Sequence, residues 1–462
     1  MIRGIRRAVV WVLLALTTCL CLPRPSTAAD TPSWPAASVI YCIYPSIFSA
    51  KGDFAGVTAQ LGRLKTLGVT VVWLMPVTPI GQAASGHPAF GSPYCVHDYF
   101  AVNPVYGSEA DLRTLVSTAH KLGLKVILDE VLNHTSWDNP LVTQHPEYYV
   151  HSDGNPRNPA SIRQAFNYGD VAQLNYADPG LRTYMIGMLR FWIKTYGVDG
   201  FRFDTASSPN GPGRLIPTDF WLEMGRQLRE TKPDLLLLGE CEDPTLAPKS
   251  FALDYGWWMH DTLKAVFAGG DAHLIEGTWR HQADDFPPGT QHMSVLDDWD
   301  YPRDVQTFGG PEGAMAAAVF SFTETGIPLL YNGMEIGNAA GGVNPHVPID
   351  WAGGDPRFPE FYRQLIALRR KNPALQQGTM TWLPSSMPSQ VLTYERSGGG
   401  SQFLIEINLS SNEAQGTVQT PVGSGWTQIT LAGAPGGTSV TAPQIALQPK
   451  GFAIFRRPVK SP

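Results

Sequence analysis

Residues 107–134 read "GSEADLRTLVSTAHKLGLKVILDEVLNH", a helix and a strand written end to end. Ser108 and Asp111 stand three apart as a capping pair. Leu112, Leu115, Val116 and Ala119 then repeat at the i, i+3, i+4, i+7 spacing of one helical face, and Gly123 stops the helix. The apolar run Val126 to Leu128 follows at once and ends on Asp129. Runs this continuous suit strands buried on both faces, as in a parallel sheet.

The same unit recurs on either side. "SVIYCIYP" (38–45), "TVVWLMP" (70–76), "GFRFDTA" (200–206), "DLLLLGE" (234–240) and "IPLLYNG" (327–333) read as strands, and "SFALDYGWW" (250–258) and "HMSVLDDWD" (292–300) as weaker ones. Eight strands alternating with helices predict a (β/α)8 TIM barrel. A doubly wound open sheet is the alternative, but no glycine-rich phosphate loop follows the first strand. The polar stretch 134–175, with "HSDGNPRNPA", interrupts the rhythm as a loop excursion or small subdomain after the third strand. From residue 378 the pattern changes to period two around glycine turns, as in "VLTYERSGGGSQFLIEINLS", which predicts a C-terminal antiparallel β-sandwich over 378–462. The barrel then occupies 30–377.

The chain has 462 residues, enough for one large and one small domain. Its 34 basic and 40 acidic residues form no basic run, which argues against nucleic acid as a partner. Residues 1–29 read as a signal peptide. Arg3, Arg6 and Arg7 precede the largely apolar stretch from Ala8 to Leu22, and "STAAD" offers small residues for cleavage after Ala28 or Ala29. That stretch is shorter than the about 20 residues a membrane span needs, so an exported protein without a membrane span is expected. A lipid anchor on Cys19 or Cys21 is disfavoured by the residues before them. Cys42, Cys95 and Cys241 remain in the mature chain and allow at most one internal disulfide.

In a (β/α)8 barrel the active site lies at the C-terminal ends of the strands. The polar residues that end the apolar runs are Asp129, Arg202 with Asp204, Glu240 and Asp300. Arg202 and Asp204 are two apart and share a strand face, where the guanidinium is expected to depress the pKa of Asp204. Glu240 follows four leucines, and desolvation there is expected to raise its pKa. An ionised Asp facing a protonated Glu is the pair that retaining glycoside hydrolysis needs. Each carboxylate alone reads equally as a strand ending at solvent; their order along one barrel pattern favours chemistry.

At these residues the chain resembles the α-amylase superfamily, glycoside hydrolase family thirteen. "DEVLNH", "GFRFDTA", "GE" after its apolar run and "VLDDWD" match the family's four short motifs. "SPYCVHDYFAVNPVYGS", "VAQLNY" and "GIPLLYNGMEIG" resemble further family segments, and the correspondence runs from about residue 38 to the C-terminus. The resemblance implies Asp204 as nucleophile, Glu240 as acid/base and Asp300 as a third carboxylate that binds sugar hydroxyls. It implies that Arg202 positions Asp204, Tyr94 stacks on the sugar at the cleavage point, His134 hydrogen-bonds that sugar, and Asp129 and Asn133 support the site. Asp297, Asp298 and Asp304 are read as shaping the loop. The implied reaction is cleavage of α-1,4-glucosidic bonds in starch-like glucans or maltooligosaccharides, with retention. A transglycosylase or isomerase of the same superfamily, such as a trehalose-forming enzyme, and a non-catalytic glucan-binding protein are the alternatives.

Two positions depart from the family. Trp299 stands where histidine is usual, offering one N–H and a broad stacking face, so a changed specificity or rate is expected. After Asp204 the chain reads "TASSPNG" in place of the Lys-His pair of many α-amylases, which weakens an ordinary calcium site. No cofactor is expected to be required and no metal ligand is assigned; Ca2+ stays open, with Asn133 and the Asp153 region as oxygen ligands. Trp137, Trp257 and Trp258 lie near active-site loops and read either as sugar platforms or as packing, with packing the stronger reading at Trp258 than at Trp137. Cys241 reads as packing. A monomer is expected.

Overall fold

Eight short strands, each ending near a polar residue, pair in parallel around a ring in the computed structural model. It describes residues 35–82, 91–166, 168–207, 215–344, 346–420, 425–434 and 443–459. The predicted signal peptide lies outside them, as does part of "TASSPNG".

We number the barrel strands β1 (Ile40–Ile43), β2 (Val71–Leu74), β3 (Lys125–Glu130), β4 (Gly200–Phe203), β5 (Leu236–Gly239), β6 (Asp254–Tyr255), β7 (His292–Ser294) and β8 (Ile327–Tyr331). Their order is β5-β4-β3-β2-β1-β8-β7-β6, and a parallel bridge from Leu238 to Leu253 closes the ring. The expected (β/α)8 barrel is therefore present, with all eight anticipated runs as strands. Register places Asp129 beside Arg202 and Arg202 beside Leu238.

Most helices cover the ring through one apolar face, whereas Pro311–Thr323 is buried all round from Gly313 onward. Glu109–Lys121 buries Leu112, Leu115, Val116 and Ala119, and its capping box is formed: Asp111 N–H donates to Ser108 Oγ and Ser108 N–H to Asp111 Oδ2. The alternation fails in one place. Among the described residues no helix follows β5, and the chain returns to β6 through turns. Pro244 and Pro248 lie in that stretch, and proline withholds the N–H that a helix interior needs.

The excursion leaves β3 through the strand His134–Ser136, which pairs antiparallel with Val171–Gln173. Tyr99 Oη donates to the carbonyls of Val131 and His134 and fixes the exit of the chain.

Beyond the barrel, a five-stranded antiparallel sheet begins at Thr379–Trp382 and faces a two-stranded one, Ala414–Thr417 with Gln444–Leu447. Side chains alternate across its strands. Tyr394, Phe403, Ile405 and Ile454 join the barrel's core, whereas Val391, Leu404 and Phe455 pack with Ala414, Ile445 and Leu447 between the two sheets. Two buried arginines stitch the seam. Arg369 donates to the carbonyls of Phe322 and Gly326, and Arg396 to those of Thr323 and Glu324. Cys42, Cys95 and Cys241 are buried free thiols. No helix among the described residues is long and apolar enough to cross a membrane.

Candidate active site

The strand ends converge on Arg202. Its Nη1 donates to Asp129 Oδ1 at 2.8 Å and to Asp204 Oδ1 at 3.2 Å, its Nη2 lies 2.7 Å from Glu240 Oε2, and its Nε donates to Tyr255 Oη at 3.0 Å. Sequence reasoning paired Arg202 with Asp204 alone; the parallel register adds Asp129 from β3, and the end of β5 adds Glu240. Asp129 is fully buried and also accepts from Trp73 Nε1 and Tyr94 Oη, at 3.2 and 3.3 Å.

Glu240 and Asp204 share one partner, Arg202, through its two terminal nitrogens. Glu240 Oε2 further accepts the Thr205 N–H at 2.6 Å. Thr205 has φ +42°, a left-handed conformation that is strained for a β-branched residue, and this turn aims its amide at Glu240. Asn133 Nδ2 holds the same turn from below, donating to the carbonyls of Asp204 and Thr205 at 2.7 and 3.0 Å. Thr205, Trp73 and Tyr255 were missed from sequence; strand ends advertised carboxylates, and nothing local advertised these partners.

The electrostatics correct one expectation. Burial pushes the Asp204 carboxyl up, outweighing the opposing pull of Arg202, so its pKa is raised and not depressed. One guanidinium is shared among three carboxylates, and it cannot offset desolvation at each. Burial raises Glu240 as well, as expected from its leucine run. The charge of Asp204 adds to the rise at Glu240. His134 is buried and pushed down to about 4, so its ring is neutral at ordinary pH. Its Nε2 lies 3.2 Å from the Tyr94 carbonyl.

Asp300 follows β7 and is exposed to the cavity above the pair. Dehydration by the cavity walls raises its pKa, and the charges of Asp298 and Glu240 add to the rise. The neighbouring aspartates shape the loop as expected. Asp298 accepts the Asp300 N–H at 2.9 Å, and Asp297 pairs with Arg303 at 2.8 Å.

Asp204, Glu240 and Asp300 line a cavity of about 560 Å³ together with Tyr94, His134 and Trp299. Arg202, Asp129 and Asn133 lie beneath it. Trp299 is buried, with its ring edge-on to Tyr44 at 4.9 Å. Trp257 and Trp258 also line the cavity, whereas Trp137 does not; its indole donates to the Gly169 carbonyl and packs on the core. The relative weighting of Trp137 and Trp258 is thus reversed. Asn133 is committed to the two carbonyls above, and Asp153 accepts from Asn155 N–H and Asn158 Nδ2.

A family model described as the alpha amylase catalytic domain matches residues 42–345. A cyclomaltodextrinase of Geobacillus thermopakistaniensis is 27% identical over 431 residues, covering 87% of this chain and 70% of the relative. The alpha-amylase MalA of Haloarcula japonica is 28% identical over 445 residues, covering 91% of this chain and 63% of that protein. The crystal structure of an alpha-amylase from Lactobacillus plantarum superposes with a TM-score of 0.80 at 27% identity, covering 91% of this chain and 99% of that one. A noncanonic maltogenic alpha-amylase from Thermotoga neapolitana gives 0.77 at 26% identity, with 92% and 97% covered. The chain belongs to the alpha-amylase family of glycoside hydrolases.

Proposed function

We propose that the chain hydrolyses α-1,4-glucosidic bonds of maltooligosaccharides or starch-like glucans with retention of configuration, through a covalent glycosyl-enzyme. The observation that carries this reading is that Arg202 holds both carboxyls, Asp204 Oδ1 at 3.2 Å and Glu240 Oε2 at 2.7 Å. Retaining enzymes hold their carboxyl groups about 5–5.5 Å apart, whereas inverting ones leave about 6.5–9.5 Å for a water between them. Two carboxyls held by adjacent nitrogens of one guanidinium favour the closer spacing.

Asp204, as carboxylate, attacks the anomeric carbon while the bond to the leaving oxygen breaks, and Glu240 gives that oxygen its proton. Glu240, now ionised, takes a proton from water as the water attacks the same carbon and releases Asp204. Arg202 holds both groups in place, and its charge favours the ionised form of each. Asp300 accepts hydrogen bonds from sugar hydroxyls, neutral His134 adds a ring nitrogen, and Tyr94 supplies a face for the sugar ring.

Proton NMR of maltoheptaose digests tests the reading. Shorter maltooligosaccharides appearing first as α-anomers, and absent with Asp204→Ala, are expected. β-Anomers would sink it. Longer oligosaccharides or trehalose would assign transfer or isomerisation, and glucan binding without turnover would assign a binding protein.

The N-terminal pattern supports export, which cell fractionation would check. One relative, from Bacillus subtilis, is named an intracellular maltogenic amylase. A monomer that needs no cofactor is the expected state. Activity unchanged by a chelator, and a monomeric mass by light scattering, are the expected results.

A further inference from the structure

Retaining chemistry gives the cavity a direction. Glu240 protonates the departing oxygen, so the reducing-end part of the glucan lies on the Glu240 side. The part held on Asp204 lies on the other.

The two sides are built from different loops. Around the Glu240 side, the loops after β4, β5 and β6 bring Ser207, Glu242, Trp257, Trp258 and Asp261 to the wall. Tyr301 extends it by stacking on Trp257 at 5.0 Å. From the loops after β7 and β8, the opposite side receives Trp299 and Asn344.

That opposite side is strapped down. The Asn344 N–H donates to the Trp299 carbonyl at 2.9 Å, and Asn344 is held at φ +54°. The His346 ring meets Trp299 edge-on at 5.6 Å and Tyr44 at 6.4 Å. Further along, the Ile349 N–H donates to the Ile47 carbonyl, and Trp351 Nε1 to the Phe48 carbonyl. The described residues after β8 thus meet the mouths of β7 and β1. Trp299, filling the place of a smaller ring, is the surface it rests on.

We infer that the Trp299–Asn344–His346 wall closes the glycone side, so that the enzyme attacks glucans from their non-reducing ends and releases one or two glucose units at a time. This rests on the retaining hydrolytic reading above. An open glycone side would instead let a chain thread through and be cut internally.

The test uses maltoheptaose tagged at its reducing end, with the non-reducing terminal glucose either free or blocked by a 4,6-ethylidene group. The blocked substrate is expected to react about tenfold more slowly or worse, because a closed pocket rejects added bulk. The first tagged products from the free substrate should be one or two units shorter than the start. His346→Gly, which removes the ring leaning on Trp299, should raise the relative rate on the blocked substrate. Equal rates on both, with a spread of tagged lengths from the outset, would overturn the inference and leave hydrolysis standing. No turnover of the free substrate would remove the hydrolytic reading, and this one with it.

Discussion

Asp129 holds Arg202 at 2.8 Å while exposing none of its own side chain, so the residue that steadies the catalytic pair has no contact with solvent. Its negative charge raises Asp204, and Arg202 lowers it. Asp129→Asn keeps the shape and removes the charge. The acidic limb of the pH–rate profile is then expected to move to lower pH, because Asp204 ionises more readily. A slackened Arg202 should cost up to about 100-fold in kcat/KM, as small misplacements do. An unmoved acidic limb would show that Asp129 does not act through this charge.

Glu240→Gln removes the proton donor. A fall of about 10²–10⁴ in kcat/KM on maltoheptaose is expected. The fall should be much smaller on α-maltosyl fluoride, whose leaving group needs no proton. Since burial raises Glu240, the wild-type alkaline limb should lie above the ordinary glutamate range, and the variant should lack it.

Gly239 ends β5 one residue before Glu240. A Cβ there would meet the Phe251 ring at 2.5 Å. Gly239→Ala should therefore cost about 1–3 kcal/mol of stability by overpacking, and kcat should fall with it, since relief requires moving the strand end that carries Glu240. Thermal melting and kinetics together check this.

Two buried groups give stability opposite pH slopes. Glu406, inside the sandwich, has no hydrogen-bond partner for either carboxyl oxygen among the described residues and is pushed up to about 8 by burial. Its neutral form suits the fold, so its contribution is full below the ordinary glutamate pKa and is lost as pH rises through about 8. His134, depressed to about 4 by burial, favours the neutral ring. Its contribution is present above the ordinary histidine pKa and declines as pH falls toward about 4. Glu406→Gln should flatten the alkaline side of a melting-temperature profile and leave the acid side in place.

Trp299→His restores the smaller ring. Loss of the edge-on contacts with Tyr44 and His346 should cost about 1–3 kcal/mol. Turnover should survive, because Asp204, Glu240 and Asp300 do not depend on the indole. Complete inactivity in a folded variant would assign Trp299 a direct part in the chemistry.

Much of the barrel was legible because each strand is a short apolar run ending in a polar residue, and that is also how the site residues were found. Asp129, Arg202, Asp204 and Glu240 declare themselves at strand ends. The sharing of Arg202 among three carboxylates was not legible, since it depends on the register between strands far apart in sequence. The sign of the Asp204 shift was missed for the same reason: burial depth is a property of the assembled ring. The missing helix after β5 had a local signal in its prolines. The roles of Trp137 and Trp258 had none, because a loop tryptophan reads alike whether it faces a cavity or a core.

The seam between barrel and sandwich has a consequence for anyone who would trade parts between such proteins. Arg369 belongs to the last barrel helix and Arg396 to the sandwich, yet both spend their donors on carbonyls of one stretch, from Phe322 to Gly326, that leads into β8. Cutting the chain before Thr379 would strip Arg396 from those buried carbonyls and uncover the barrel's Phe320 and Phe361, which Tyr394 and Phe452 of the sandwich cover. The sandwich is therefore no detachable accessory: a shuffled or shortened catalytic half should be recovered only as aggregate, and exchange between homologues must carry both halves of the seam.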